Sequence, residues 1–174
     1  MPRIPYAAPA ADSPAGRLIA RLPLNVARMM AHSPDQMLAF QTFGEAVLTK
    51  GELDPALREL AILRIGHIHG ATYETHHHER IGRAVGMSED QIAAARSGVS
   101  ANSDDALVIA VSEALDRDGR LSDGLFAQAL SRFGPRQTVE LVLAVGFYGM
   151  VSRFLNAFGV EVEDTPLTLP RLEG

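Results

Sequence analysis

Helix-start signals recur along this chain, and no stretch alternates between apolar and polar residues for long enough to form a strand. Ser33-Pro34-Asp35-Gln36 combines a capping Ser, a Pro at the first helical position and a Gln at the third. Asp54-Pro55 repeats the capping residue followed by Pro, and Ser88-Glu89-Asp90-Gln91 repeats the capping Ser with a Gln at the third helical position. Because apolar residues spaced three and four apart follow each signal, the sequence predicts an all-α fold.

The predicted helices number about seven and account for most of the chain. They cover approximately residues 33–50, 54–69, 72–85, 88–98, 103–118, 122–133 and 135–158. The last contains Gly146 and Gly149, each of which costs about 1 kcal/mol of helix propensity relative to Ala and so indicates close packing or a kink. Residues 1–14 are predicted to form an N-terminal arm, and residues 160–174 an extended tail.

The composition favours one domain over residues 1–174, since 47% of the 174 residues are hydrophobic and can supply a core. The net charge of -5 and the scattered Lys and Arg give no basic patch, so neither a nucleic-acid nor a membrane partner is expected. The sequence has neither a secretory pattern nor a run of about 18 apolar residues, which predicts a cytoplasmic protein. The absence of Cys excludes disulfides and thiol chemistry.

A cluster of ionisable residues is predicted on the inner face of the helix over 72–85. The apolar stripe of its later half, continued backwards by steps of three and four residues, reaches Tyr73, Glu74, His77 and His78. Glu74 and His78, one turn apart, are therefore predicted to point inward together, whereas His76 lies on the charged face.

Glu59 lies in the most apolar stretch of the chain, where an unpaired carboxylate would be costly, so a partner is expected. A short link between two antiparallel helices brings Glu59 near the start of the next helix, which predicts one cavity surrounded by Glu59, Glu74 and His78. Such a trio suits general acid/base catalysis, because His titrates near neutral pH and a carboxylate fixes its tautomer. A purely structural ion pair of Glu59 with Arg64 or Arg153 is the alternative.

Five His residues between His67 and His78 raise the question of a metal site. Three consecutive His on a helix point about 100° apart and cannot all bind one ion, and His67 and His69 have the same difficulty. The sequence therefore predicts no native metal, and adventitious affinity for nickel or zinc is expected instead.

These residues carry a resemblance to a known family. The run Leu53-Asp54-Pro55, the segment Arg58-Glu59-Leu60-Ala61-Ile62-Leu63-Arg64, and the later Gly70, Tyr73-Glu74, His78, Gly86 and Ser88 resemble the carboxymuconolactone decarboxylase domain, which alkyl hydroperoxidase D-like proteins share. The resemblance implies an alkyl hydroperoxidase D-like orthogonal helical bundle. A weak similarity between residues 59–66 and 140–146 leaves open a duplicated helical hairpin.

In the hydroperoxidase branch the motif is a Glu, then two Cys three residues apart, then a His four residues after the second Cys. Glu59 and His78 match the Glu and the His, but Ala71 and Glu74 stand at the two Cys positions. The chain therefore resembles a Cys-free, peroxidase-related member that cannot reduce peroxides through a thiolate.

The decarboxylase branch also lacks the Cys pair, and its reaction converts a carboxylated muconolactone to an enol-lactone in aromatic-acid breakdown without a metal or organic cofactor. By this resemblance, His78 moves the proton, Glu74 orients His78, and Glu59 is a second acid/base or pocket carboxylate. Arg64 or Arg153 is expected to hold the substrate carboxylate. The complete set of predicted substrate-binding residues is Tyr73, His77, Arg64, Tyr148 and Arg153.

The family resemblance further implies a homo-oligomer, a trimer or a hexamer, for which the apolar C-terminal helix offers surface unless its Phe residues fill the core. Those apolar residues are Phe147, Phe154, Leu155 and Phe158. Three functions stay open: a carboxy-lyase or isomerase acting on a small carboxylated lactone, a catalytically silent oligomer that binds a small ligand, and redox defence by a route without Cys.

Overall fold

A computed structural model describes residues 1–164, and these form eight α-helices and no strand, which confirms the all-α prediction. The predicted extended tail lies outside the described residues from position 165 onward. In chain order the helices are α1 Pro14–Arg21, α2 Asn25–Met30, α3 Pro34–Thr49, α4 Pro55–Ile68, α5 Thr72–Ala84, α6 Glu89–Ser97, α7 Ser103–Asp118 and α8 Asp123–Phe158.

Side-chain caps account for the agreement between predicted and observed helix starts at α4, α6 and α7, whereas α5 begins without one. The Asp54 carboxylate accepts hydrogen bonds from the backbone N–H groups of Ala56 and Leu57 at the start of α4. Ser88 and Gln91 form the predicted capping box at the start of α6. The caps satisfy backbone donors that have no partner within the helix, and they therefore fix where each helix begins.

Two short helices near the N-terminus, α1 and α2, were not predicted. α1 has a signal of the expected kind, because Ser13 accepts a hydrogen bond from the N–H of Gly16 and Pro14 follows it. α2 is only 6 residues long and has no side-chain cap. A helix of that length is stabilised by its packing rather than by local signals, so its sequence gave little indication of it.

The 36-residue α8 is interrupted at Gly134, whose dihedral angles (φ 73°, ψ 175°) are not helical. A positive φ favours glycine, and Pro135 then begins the second part of the helix. The two parts correspond to the two helices predicted over residues 122–133 and 135–158. The bend is thus at Gly134 rather than at Gly146 or Gly149.

Contrary to the sequence prediction, α8 contains an 18-residue window of mean hydropathy 1.5, apolar and long enough to cross a membrane. Half of that window is buried in the protein, and a core helix has the same properties, so the membrane evidence is weak.

The described part of the chain divides into two compact units, one formed by residues 1–50 and 155–164, the other by residues 51–154. In the first unit, apolar residues of α1, α2, the C-cap of α2 and α3 form the core cluster Ala15, Leu18, Ala27, Ala31 and Met37. In the second unit, α4 packs against α5, α6 and α7. All predicted catalytic residues belong to this second unit.

Candidate functional site

The centre of α4 is enclosed by its neighbours, and this enclosure buries two charged residues. Residues 58–63 are all buried, with Glu59 having no exposed surface and Arg58 only 6%. Because α4 contacts α5, α6 and α7, side chains on several of its faces are removed from water. A carboxylate in such a place needs partners that compensate for lost hydration.

Glu59 has those partners on both of its carboxylate oxygens. Its Oε2 lies 2.6 Å from Nδ1 of His78, and its Oε1 lies 3.2 Å from both Nε and Nη2 of Arg58. When Nδ1 carries a hydrogen and donates it to Glu59, Nε2 is the nitrogen of His78 that can accept a proton from another molecule or donate one to it. The arrangement Arg58–Glu59–His78 therefore has the form of a histidine oriented by an anchored carboxylate.

Arg58, Glu59 and His78 form one buried cluster with Glu74 and Ser152. In this cluster Glu74 is the second carboxyl group; one of its oxygens accepts a hydrogen bond and the other makes none. Oε1 accepts a hydrogen bond of 2.9 Å from Oγ of Ser152, which comes from α8. Oε2 is buried and makes no hydrogen bond within residues 1–164. Burial raises the pKa of Glu74 well above its usual range; the Ser152 hydrogen bond opposes this, and the charge of Glu59 adds to it.

Gly66 on α4 is the residue that allows the carboxyl group of Glu74 to lie close to the backbone of α4. A Cβ atom at position 66 would lie 3.0 Å from Oε1 of Glu74 and 2.9 Å from Cγ2 of Thr75. The absence of a side chain at this position thus creates the space in which the Glu74 carboxyl meets Ser152.

Aromatic side chains line the same cluster. The ring of Tyr148 stands edge-on to the imidazole of His78 at 4.7 Å between centroids. Burial raises the pKa of Tyr148 well above its usual range, and the carboxyl groups of Glu59 and Glu74 raise it further when they are ionised, so its hydroxyl stays protonated. Tyr73 and His77 pack against each other, with ring centroids 4.5 Å apart, and both are buried.

The inward orientation predicted for Glu74 and His78 is confirmed, since both are buried while His76 is exposed. The carboxylate that orients His78 is Glu59, however, and not Glu74 as the family resemblance implied. A residue one turn away on the same helix is a near neighbour, but the side chain across the α4–α5 contact is closer. Glu74 turns toward α8 instead.

The two arginines predicted to hold a substrate carboxylate both bind carboxylates of α7. Nε of Arg64 lies 2.9 Å from Oε1 of Glu113, and Nη2 of Arg153 lies 3.0 Å from Oδ1 of Asp116. Neither is the ion-pair partner of Glu59, which is the adjacent Arg58.

Arg58 and Ser152 are the members of the cluster to which sequence reasoning gave no role. An Arg next to a Glu points about 100° away from it on a helix, so adjacency alone does not predict their contact. The sequence signal for Arg58 was its position next to Glu59 at the start of an apolar run, where a buried cation needs a partner as much as a buried carboxylate does. Ser152 is 78 positions from Glu74, and no local pattern connects them.

The cluster is almost closed to solvent, and His78 is its most accessible member. The side chain of His78 keeps 9% of its surface exposed, whereas that of Glu59 keeps none. Two surface clefts, one of about 600 Å³ beside α6 and one of about 380 Å³ beside α1 and α3, include none of the cluster residues. A molecule approaching the cluster would therefore meet the imidazole first.

No group of three His, Asp or Glu side chains within residues 1–164 converges as metal ligands would. In the cluster itself, Nδ1 of His78 and Oε2 of Glu59 bind each other, which leaves one imidazole nitrogen and the Glu74 carboxyl for other contacts. The donor set is therefore suited to moving protons rather than to holding an ion.

Comparison with known proteins gives one family and several solved structures. Residues 34–117 match the family described as the carboxymuconolactone decarboxylase family. No protein with a curated description matches the sequence. An uncharacterized peroxidase-related protein from Ralstonia eutropha, described as an alkylhydroperoxidase AhpD core, superposes with a TM-score of 0.82 at 18% identity, over 94% of this chain and 93% of that one.

Two further structures show the same fold. An uncharacterized peroxidase-related protein from Silicibacter superposes with a TM-score of 0.76 at 14% identity, over 94% of each chain. A Cys-to-Ala variant of the debrominase Bmp8, in complex with 2,3,4-tribromopyrrole, superposes with a TM-score of 0.74 at 17% identity, over 94% of this chain and 95% of that one. At these identities the likeness establishes the fold and leaves the reaction to be argued from the site.

Proposed function

We propose that this chain, whose residues 34–117 match the carboxymuconolactone decarboxylase family and whose fold is alkyl hydroperoxidase D-like, is a cofactor-independent carboxy-lyase or isomerase for a small carboxylated lactone. The observation that carries this proposal is the 2.6 Å contact between Nδ1 of His78 and Oε2 of Glu59. A carboxylate that is fully buried and also bound by Arg58 keeps the imidazole in one orientation and one tautomer.

In the proposed reaction, His78 moves one proton through Nε2. When the bond between the ring carbon and the carboxylate breaks, CO2 leaves and the electron pair stays on the ring, where a conjugated lactone delocalises it onto the carbonyl oxygen. A proton from Nε2 then forms the new C–H bond, and solvent restores the proton. Glu59 stabilises the protonated imidazole during this cycle.

The absence of Cys from the sequence separates this chain from thiol chemistry on the same fold. Glu74 stands at the position where the peroxidase motif has its second Cys, so a carboxyl group occupies the place of the thiol. Acid/base chemistry on a carboxylated compound therefore suits this chain better than peroxide reduction.

The first test is turnover of carboxylated muconolactones, with alkyl peroxides screened in parallel. We expect His78→Ala to lower kcat by about 10²- to 10⁴-fold, since that is the usual contribution of a positioned proton-transfer group. His69→Ala is the matched control, because His69 also contacts a carboxylate, at 2.8 Å from Asp116, but lies outside the cluster. Undiminished lactone turnover in the His78→Ala variant would remove the proposed mechanism.

The near-complete burial of the cluster favours a second candidate function, a non-catalytic oligomer that binds a small ligand. In that case the Arg58–Glu59–His78 chain holds α4 and α5 together and performs no chemistry. Saturable binding of a carboxylated lactone by the native protein, without turnover, would favour this candidate. Light scattering of the same sample would test the proposed trimer or hexamer, and fractionation of cells would test the proposed cytoplasmic location.

A further inference from the structure

The two oxygens of the Glu74 carboxyl group have unequal surroundings. Oε1 accepts a hydrogen bond from Ser152 and lies beside the open Cβ position of Gly66, whereas Oε2 is buried with no hydrogen-bond partner among residues 1–164. Buried polar atoms are normally satisfied, and an exception in an otherwise paired cluster calls for an explanation.

Charge balance indicates which form of Glu74 the cluster accommodates. Arg58, the buried cation, is bound to Glu59. The groups facing Glu74 are Glu59 from α4 and Ser152 and Tyr148 from α8, and none of these is a cation. The imidazole of His78, one turn away on α5, is bound to Glu59 rather than to Glu74. An ionised Glu74 would therefore add a second negative charge to a buried site that already holds one, whereas a neutral carboxylic acid adds none.

The Ser152 hydrogen bond also indicates where the hydrogen of a neutral Glu74 is. Because Oγ of Ser152 donates to Oε1, that oxygen acts as the acceptor, and the acidic hydrogen belongs on Oε2. We infer that Glu74 is a hydrogen-bond donor whose Oε2–H presents itself to a substrate oxygen that gains negative charge, with Ser152 as the positioning residue. This inference rests on the proposed lactone chemistry and specifies the role of a second group in it.

A neutral donor at this place selects the kind of oxygen that binds there. A carboxylate oxygen at Glu74 would repel the enolate oxygen that forms when a conjugated lactone loses CO2, whereas an O–H group would stabilise it increasingly as the charge develops. The structure thus assigns the lactone carbonyl, rather than the carboxylate that leaves, to Glu74. Compounds with a carboxylate but no conjugated carbonyl are expected to be poor substrates.

The test compares Glu74→Gln with Glu74→Leu. A Gln side chain can direct its carbonyl oxygen to Ser152 and an N–H to the place of Oε2, so the donor is kept; Leu has a similar volume and no donor. We expect Glu74→Gln to retain lactone turnover within about tenfold and Glu74→Leu to lose about 10²- to 10³-fold in kcat, the usual effect of removing one such donor. Equal turnover in the two variants would overturn the inference.

An infrared measurement without substrate keeps this test separate from that of the proposed function. At pH 7 the native protein is expected to show the C=O stretching band of a buried, protonated carboxyl group, absent from Glu74→Gln and shifted in Ser152→Ala. If the band is missing, the inference is wrong even where lactones are turned over. If the band is present but no lactone reacts, the protonated Glu74 is supported and the lactone function is refuted.

Discussion

The protein contains two His–carboxylate pairs of nearly equal length in very different surroundings. In the first, His78 and Glu59 are 2.6 Å apart, with side-chain exposures of 9% and 0%. In the second, His69 and Asp116 are 2.8 Å apart, with exposures of 18% and 15%. Both carboxylates also bind an arginine, but Arg58 is buried and Arg153 is 59% exposed. The length of a His–carboxylate contact therefore does not distinguish a candidate catalytic pair from a more exposed one; the surroundings do.

The difference follows from position along one helix. Glu59 lies in the body of α4, where α5, α6 and α7 all pack, whereas His69 is the residue that caps the end of that helix. A helix centre enclosed by three neighbours excludes water, and a helix end is more open to it. The same residue types at similar distances thus have a low-dielectric environment in one place and a hydrated one in the other.

Removing one carboxylate from each pair should expose this difference most strongly. We expect Glu59→Ala to lower the free energy of unfolding by about 3–5 kcal/mol, because Arg58 is left as a buried charge without its partner. Asp116→Ala, the matched control, should cost about 1 kcal/mol or less, since water can hydrate its partners. Denaturant titration of both variants measures the two values. Similar losses in the free energy of unfolding for the two variants would contradict the claim that burial distinguishes the two His–carboxylate pairs.

The tight contact between α4 and α5 is the packing feature on which the buried pair depends. Gly66→Ala is expected to destabilise the protein by about 1–3 kcal/mol, because the new Cβ would meet Glu74 and Thr75 at 3.0 and 2.9 Å. Gly146→Ala is the control, since no atom lies within 4 Å of its Cβ position. That helical replacement should stabilise the chain by about 0.5–1 kcal/mol. Thermal unfolding of the two variants should shift in opposite directions, and a stabilised Gly66→Ala would contradict the packing account.

Local signals in the sequence predicted the helices well, and the partners within the site less well. Caps such as Asp54 and Ser88 act on backbone groups two or three residues away, so they can be recognised without knowledge of the fold. The burial of Glu59 and the inward direction of His78 follow in the same way from apolar periodicity. The sequence thus correctly placed these two side chains near each other.

Contacts between helices could not be predicted from such signals. Whether His78 binds Glu59 or Glu74 depends on how α4 crosses α5, and the Glu74–Ser152 hydrogen bond depends on the path of α8. Arg64 was assigned to the substrate because it lies near the motif, but it reaches Glu113 and the carbonyl of Ala95 on other helices. Each of these outcomes is decided by tertiary packing, on which helical spacing carries no information.

The pH dependence of stability offers the finest contrast between a buried carboxyl group and a surface one. Because the pKa of Glu74 is raised by folding, its stabilising contribution is complete below the pKa of the unfolded chain, near 4.5, and is lost as the pH rises toward the folded value. Glu74→Gln should remove this dependence, so its stability relative to the native protein should increase between pH 5 and pH 8.

Glu140 provides the control of opposite sign. Burial tends to raise its pKa, but hydrogen bonds from the N–H groups of Leu53 and Glu52 and from Arg136 lower it overall. The stability from Glu140 is therefore present above the unfolded pKa and lost as the pH falls through the folded one. Glu140→Gln should thus lose stability relative to the native protein as the pH rises through the acid range. Denaturation midpoints from pH 3 to pH 8 would measure both slopes. If the stability of both variants relative to the native protein changed with pH in the same direction, Glu74 would be ionised in the folded protein, as a surface carboxylate is. Its burial would then not keep it protonated.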